Sequence, residues 1–186
     1  MDSGRNLEYP SGGSIFVSSG DQDFLNKVLA GAMANKEFGF GMSLTGVDFV
    51  TEDLYDGFNV FKTTGTGILL KKNDGERYSF HKCDEDGFEE ALAEQTIRRL
   101  SNIDNTLNFD GFRIELQKSD KNKVRGVVMS SSKTPDKVSV NQANICSLVV
   151  HCNKEVAQAI HNYGLGQSTG IGFGMVMNIN NSKLYL

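Results

Sequence analysis

Two residues near the end of the chain carry side chains that could move a proton beside a bound phosphate. His161 and Tyr163 stand directly before a glycine-rich segment, and histidine titrates in the neutral range that general acid–base catalysis uses. The structural alternative is that His161 closes a helix, where a histidine favours the negative end of the helix dipole. The two residues are therefore candidates for acid–base chemistry on a phosphodiester, with a helix end as the alternative.

The segment that follows, residues 164–174, has five glycines in eleven positions and is called the glycine loop below. Glycines at this density permit positive φ values and the close approach of another backbone, usually a phosphodiester. The loop lacks the Gly-Lys-Ser/Thr ending of a Walker loop, and a helical pattern precedes it, unlike a dinucleotide fingerprint. The alternative is a turn that only lets a strand pack closely on a helix. Its candidate phosphate-binding residues are Gly164, Gly166, Gln167, Ser168, Thr169, Gly170, Gly172 and Gly174.

A cluster of cations, called the basic stripe, lies upstream of the glycine loop. With a net charge of -4, the chain must hold any nucleic acid by a local patch rather than by its whole field. The alternative is a solvated hairpin, because lysines commonly protect strand edges. We interpret the stripe as a contact surface for phosphates. It consists of Lys118, Lys121, Lys123 and Arg125 on a predicted hairpin, and of Lys133 and Lys137 in the polar loop predicted to follow.

The remaining candidate ligands indicate no metal site and no cofactor. Cys83, Cys146 and Cys152 form no CxxC pair, so they indicate reduced thiols of the cytoplasm rather than disulfides or structural zinc. His151 is interpreted as a strand-end residue and His81 as a surface residue. No apolar segment approaches the roughly 20 residues that span a bilayer, and the polar start lacks a signal-peptide core. These features predict a soluble cytoplasmic protein without a membrane partner.

Three helices are predicted to position these residues. The first covers about residues 20–34 with Ser19 as N-cap, and the second runs from Asp84 or Asp86 to about residue 100. Arg98 and Arg99 would complement the C-terminal dipole of that second helix, with a phosphate contact as the sharper alternative. The third helix starts at the N-cap Asn153 and ends at Gly164. Strands are predicted at 15–17, 38–50, 58–61, 68–70, 77–80, 109–117, 124–129, 145–150 and 172–179, with a hairpin turn at 73–76.

The order of these elements predicts an α+β fold. From residue 58 onward it reads as a ferredoxin-like (RRM-like) βαββαβ module. Residues 15–50 supply only strand, helix and strand, which is half of a second such module. We therefore predict an incomplete N-terminal half-module at 1–56 and a C-terminal ferredoxin-like domain, carrying the glycine loop, at 57–186.

Three stretches of the sequence resemble the CRISPR-associated endoribonucleases of the RAMP superfamily, which cut precursor CRISPR RNA within its repeats. Residues 162–176 resemble the C-terminal glycine-rich motif of that family, in which a GxG pair is followed by GFG. Residues 13–25 resemble its entry from a strand through Ser-Ser and an acid into a helix. Residues 61–88 resemble the start of its second ferredoxin-like domain. The resemblance covers nearly the whole chain from Gly13.

The resemblance implies a protein that binds CRISPR repeat RNA in a basic groove and cleaves it without metal, by attack of a 2′-hydroxyl that leaves a cyclic phosphate. It also implies an earlier strand and helix with the usual catalytic histidine, whereas this sequence has no histidine before His81. We therefore expect an N-terminally shortened chain that pairs with its own kind or with other CRISPR effector subunits. The alternative is a non-catalytic RNA-binding or scaffold subunit of a CRISPR ribonucleoprotein.

Overall fold

The computed structural model of the chain describes residues 17, 19–37, 43–47, 53–72, 79–131 and 134–180. The chain divides between Leu44 and Thr45 into two units. In chain order the helices and strands are α1 (Gln22–Ala34), β1 (Gly57–Thr63), β2 (Ile68–Leu69), α2 (Phe88–Ile103), β3 (Arg113–Leu116), β4 (Lys123–Ser131), β5 (Thr134–Ile145), β6 (Ser147–Cys152), α3 (Lys154–Tyr163) and β7 (Val176–Asn178).

The N-terminal unit contains α1, and its N-cap differs from the prediction. Asp21, not Ser19, caps the helix, because the Asp21 carboxylate accepts a hydrogen bond from the Phe24 amide at 3.0 Å. The Ser19 hydroxyl instead accepts from the Asp21 amide at 3.1 Å and so supports the cap from outside. Most of the strands predicted at 15–17 and 38–50 lie outside the described residues.

The C-terminal unit is built on a four-stranded antiparallel sheet in the order β3-β6-β1-β7. α2 connects β1 to β3, and α3 connects β6 to β7, so these elements follow one another as βαββαβ. The predicted α+β, ferredoxin-like class is confirmed. Burial alternates along the central strand β6, where Leu148, Val150 and Cys152 are buried and the residues between them are only half-buried. The buried residues pack against Leu92 of α2 and Ile160 of α3 in the main core.

A second antiparallel sheet has the order β2-β5-β4. Its strands β4 and β5 lie between β3 and β6 in the chain, whereas β2 lies between β1 and α2. The polar loop predicted through Pro135 is wrong, because β5 already begins at Thr134. The register shifts between Ser130, which faces Val138, and Ser131, which faces Thr134. Pro135 therefore lies in a bulge, where a residue without an amide hydrogen is tolerated in a strand.

Three other predicted strands are shorter or broken in the structure. The one predicted at 109–117 is reduced to β3, because the Phe112 amide turns back onto the Phe109 carbonyl and the two rings pack edge to face at 5.7 Å. The one predicted at 145–150 breaks at Cys146, whose backbone amide and carbonyl both bond to Thr63. The final strand, predicted at 172–179, contains only β7. The turn predicted at 73–76 lies outside the described residues.

Candidate nucleic-acid interface

Three glycines of the glycine loop face the protein's own backbone. A Cβ on Gly174 would lie 1.8 Å from the Leu165 carbonyl oxygen, and one on Gly166 would lie 2.6 Å from the Leu69 carbonyl oxygen. A Cβ on Gly164 would lie 2.6 Å from the Gly174 carbonyl oxygen. All three residues are buried. Close packing of a strand on a helix end, the structural alternative, therefore accounts for these three positions.

The middle of the loop faces outward. Ser168, Gly170 and Gly172 are exposed, and a single turn of 3-10 helix covers Thr169–Ile171. Ser168 has a left-handed backbone (φ 59°, ψ 31°) directly before this right-handed turn. Successive residues of opposite hand point their amides into one concavity, which is a common way to bind an anion. The outward half of the loop therefore has the backbone geometry of an anion site.

Gln167 fastens the glycine loop to the second sheet. Its amide donates to the Leu69 carbonyl at 2.8 Å, and its side-chain oxygen accepts from the Lys71 amide at 3.2 Å. Leu69 is the last residue of β2, and it forms a bridge with Gln167. Gln167 thus acts as the join between the loop and the sheet.

Strand register extends this join to the basic stripe. Leu69 of β2 pairs with Ala143 of β5, and Ala143 pairs with Arg125 of β4. Gln167, Leu69, Ala143 and Arg125 therefore form one row across the strands. With neighbouring strands about 4.8 Å apart, the row places Gln167 and Arg125 roughly 14 Å from each other.

Four cations of the basic stripe are exposed: Lys118, Lys121, Lys123 and Arg125. The hairpin predicted to carry them is wrong, because β3 and β4 lie in different sheets and β4 pairs with β5 instead. No ion pair engages any of them among the described residues. Lys123 and Arg125 lie on the same face of β4 as Val127 and Met129, which pack in the same small cluster as Phe173 of the glycine loop. Lys137 lies in β5 rather than in a loop, and Lys133 lies outside the described residues.

The Arg99 side chain contacts a different helix end from the one that the sequence indicated. Its guanidinium reaches the C-terminal end of α3 instead of complementing α2: Nη1 donates to the Tyr163 carbonyl at 2.8 Å and to the Thr169 hydroxyl at 3.0 Å, and Nη2 donates to the Gly164 carbonyl. Helical spacing indicates only that position 99, three residues after the buried Thr96, borders the buried face of α2, and it does not indicate the partner.

The candidate proton-transfer residues lie at the end of α3. His161 is half-buried in the last turn, whereas the Tyr163 side chain is exposed and its carbonyl holds Arg99. His151 lies in β6 with its Nε2 3.2 Å from Glu115 Oε1, beside a pocket of 310 Å³. A hydrogen bond from Arg113 lowers the pKa of the Glu115 carboxyl. His151 is therefore a strand residue near the end of β6 that precedes α3, whereas His161 lies in the last turn of α3.

Hydrogen bonds at both ends of α3 define where the helix begins and ends. The Asn153 side chain caps it by accepting from the Val156 amide at 2.8 Å, and the Lys154 amide donates to the Asp56 carboxylate at 2.7 Å. At the other end the Gly164 amide donates to the Ile160 carbonyl at 2.7 Å. These contacts fix where His161 and the glycine loop lie relative to the sheet.

A family model described as CRISPR associated protein Cas6, C-terminal, matches residues 51–177. Solved structures with the same fold include one described as the characterization of a Cas6-related gene from Pyrococcus furiosus (20% identity, TM-score 0.66, 88% of this chain). Another is described as an RAMP protein binding different RNA substrates (23% identity, TM-score 0.67, 87% of this chain). A third is described as CRISPR associated protein Cas6 (19% identity, TM-score 0.62, 87% of this chain). No curated protein sequence gives a significant match. The chain spans 66%, 66% and 65% of the lengths of these three structures.

Proposed function

Because the chain belongs to the Cas6 C-terminal family, we propose that it binds CRISPR repeat RNA through the glycine loop and the basic stripe and cleaves precursor CRISPR RNA without a metal. RNA of this kind is recognised through its backbone and shape, with sequence read from unpaired nucleotides. The proposal concerns both binding and cutting, and different residues support the two parts.

The single observation that carries the binding part is the row from Gln167 through Leu69 and Ala143 to Arg125. It joins the outward amides of the loop to the exposed cations through paired strands, without a flexible connection. Phosphates attract cations without regard to sequence, and they also bind backbone amides. A strand of RNA that follows the row meets both kinds of phosphate ligand in succession.

The cutting part assigns acid–base roles to His161 and Tyr163. One side chain removes the proton of a ribose 2′-hydroxyl, and the oxygen attacks the adjacent phosphorus. The 5′-oxygen of the next nucleotide leaves and takes a proton from the other side chain. The products are a 2′,3′-cyclic phosphate and a free 5′-hydroxyl. A cation close to the non-bridging oxygens stabilises the charge that develops on them.

One assay tests both parts. Labelled repeat RNA is incubated with the full chain in EDTA, and the products are examined for a single cut that ends in a cyclic phosphate. A matched RNA with a 2′-deoxyribose at the cut site should bind equally and remain intact. Tight binding without a cut would leave a non-catalytic RNA-binding subunit, and absence of salt-sensitive binding would overturn the proposal.

The proposal includes association through the N-terminal unit in the cytoplasm. α1 has no buried residue, and its Phe24 and Met33 are exposed, which suits contact with a second copy or another CRISPR effector subunit. All three cysteines are free and buried, as suits a reducing compartment. Light scattering tests the self-association, and a monomer at all concentrations would contradict it. Among the described residues, no helix combines the length and apolar character needed to cross a bilayer.

A further inference from the structure

Arg99 connects α2, the end of α3 and the outward turn of the glycine loop. One guanidinium nitrogen serves both the Tyr163 carbonyl and the Thr169 hydroxyl, and the other serves the Gly164 carbonyl. Because the Thr169 oxygen accepts from Arg99, its own hydroxyl hydrogen remains available to an acceptor outside the loop. The side chain is thus positioned directly behind the turn that carries the outward amides.

No carboxylate among the described residues neutralises the charge of Arg99. In the part of the chain that the structure describes, Arg99 forms no ion pair, and its three acceptors are neutral oxygens. Its Nε is buried without a hydrogen-bond partner among those residues. Burial lowers the pKa of Arg99, although an arginine keeps its charge at any physiological pH. A half-buried cation of this kind favours an anion at the adjacent surface.

The loop surface next to Arg99 carries backbone amides that donate no hydrogen bond to a described residue. The amides of Ser168, Thr169 and Gly170 donate to no residue that the structure describes. Ser168 is left-handed and the turn that follows it is right-handed, so these three amides point toward one concavity. Three amides, one hydroxyl and one cation are a donor set that suits the oxygens of a phosphate.

We propose that Arg99, Thr169 and the amides of residues 168–170 form a binding site for one phosphate of the RNA strand, in which Arg99 supplies the charge. This assignment rests on the proposed function, since the phosphate belongs to the bound RNA. It divides the glycine loop into an inward part, Gly164, Gly166 and Gly174, that sets the shape, and an outward part that contacts the ligand.

Salt dependence of RNA binding tests the assignment. The affinity of the full chain for fluorescent single-stranded repeat RNA is measured between low and physiological salt for the wild type and for Arg99→Gln, Arg99→Lys, Thr169→Val and Arg98→Gln. Arg98→Gln is the matched control, because Arg98 is the neighbouring cation on α2 but is exposed, and among the described residues its side chain bonds only to Gln95. Circular dichroism establishes that each variant is folded.

We expect Arg99→Gln to weaken binding roughly tenfold and to reduce the slope of log affinity against log salt by about 0.7, the value for one phosphate on a single strand. Arg99→Lys should keep the slope because it keeps the charge. Thr169→Val should weaken binding about threefold with the slope unchanged, since it removes one neutral hydrogen bond. Arg98→Gln should match the wild type.

Equal slopes for Arg99→Gln, Arg98→Gln and the wild type would overturn the phosphate site while leaving RNA binding intact. If Arg99→Lys loses as much slope as Arg99→Gln, Arg99 only shapes the loop, and the assignment of charge is wrong. If Arg99→Gln does not fold, Thr169→Val decides the question: a threefold loss of affinity supports the site, and an affinity equal to that of the wild type would overturn it. A wild type that binds no RNA at all would overturn the proposed function together with this site.

Discussion

The backbone of Gly174 lies directly against that of Leu165: the Leu165 amide donates to the Gly174 carbonyl at 2.8 Å, and a side chain on Gly174 would meet the Leu165 carbonyl oxygen at 1.8 Å. Gly174 also has a positive φ of 71° and donates its amide to the Gly67 carbonyl at 2.8 Å. The loop therefore closes on itself just before β7. This contact holds the outward turn in one shape.

Replacement of Gly174 should unfold the loop or the whole unit. We expect Gly174→Ala to lower the free energy of unfolding by at least about 2 kcal/mol, because a Cβ adds backbone strain to a steric clash. Gly170→Ala is the control, since a Cβ at Gly170 meets nothing within 4 Å. It should change stability by less than about 0.5 kcal/mol. Chemical denaturation measures both, and equal stabilities would contradict the close contact.

Removal of two cations from the basic stripe should weaken RNA binding and its salt dependence. Lys121→Ala with Lys123→Ala is expected to reduce the slope of log affinity against log salt by about 1.4, which is two phosphates on a single strand. A double variant of equal charge, Arg98→Ala with Lys154→Ala, removes exposed cations outside the stripe. If both double variants lose the same slope, the stripe is not a specific contact surface.

His161 and His151 give opposite expectations for cleavage. His161→Ala should reduce the rate of cutting by about 10²- to 10⁴-fold, the usual contribution of a general acid or base, and should change RNA affinity little. His151→Ala should leave the rate unchanged, because the His151 side chain on β6 contacts Glu115 of the neighbouring strand β3 rather than the glycine loop. Single-turnover cleavage measures both rates. Loss of activity in His151→Ala alone would move the cutting site to the other part of the sheet.

The buried thiols should make the fold less stable at alkaline pH. Burial raises the pKa of Cys146 to about 12 and that of Cys152 to about 12. The unfolded thiols ionise from about pH 8.5, so between that pH and 12 the folded state binds more protons and stability falls as pH rises. Each thiol contributes a decline of up to about 1.4 kcal/mol per pH unit.

The alkaline decline is measured by urea unfolding between pH 8 and pH 11. The variant Cys146→Ala, although less stable at neutral pH, should show a shallower decline than the wild type over this range. Cys152→Ala should behave in the same way. Parallel declines in wild type and variants would show that these thiols are not protonated in the folded state at high pH.

The sequence predicted the elements whose signals are local. α3 was predicted from its N-cap Asn153 to Gly164, and the βαββαβ order followed from alternation and helical spacing. The sequence did not predict the strand break at Cys146, because its partner Thr63 is distant in sequence. It did not predict the partner of Arg99 for the same reason, since Gly164 approaches Arg99 only in the folded chain. Nor could spacing alone show which glycines of the loop face inward, since that depends on Leu69 and Leu165.

The most direct test of RNA binding by the row from the glycine loop to the basic stripe is a titration of wild-type protein with single-stranded repeat RNA at several salt concentrations. The outward turn and at least two stripe cations bind a minimum of three phosphates, so the slope of log affinity against log salt should be about −2 or steeper. A slope near zero, or no binding at low salt, would contradict the account.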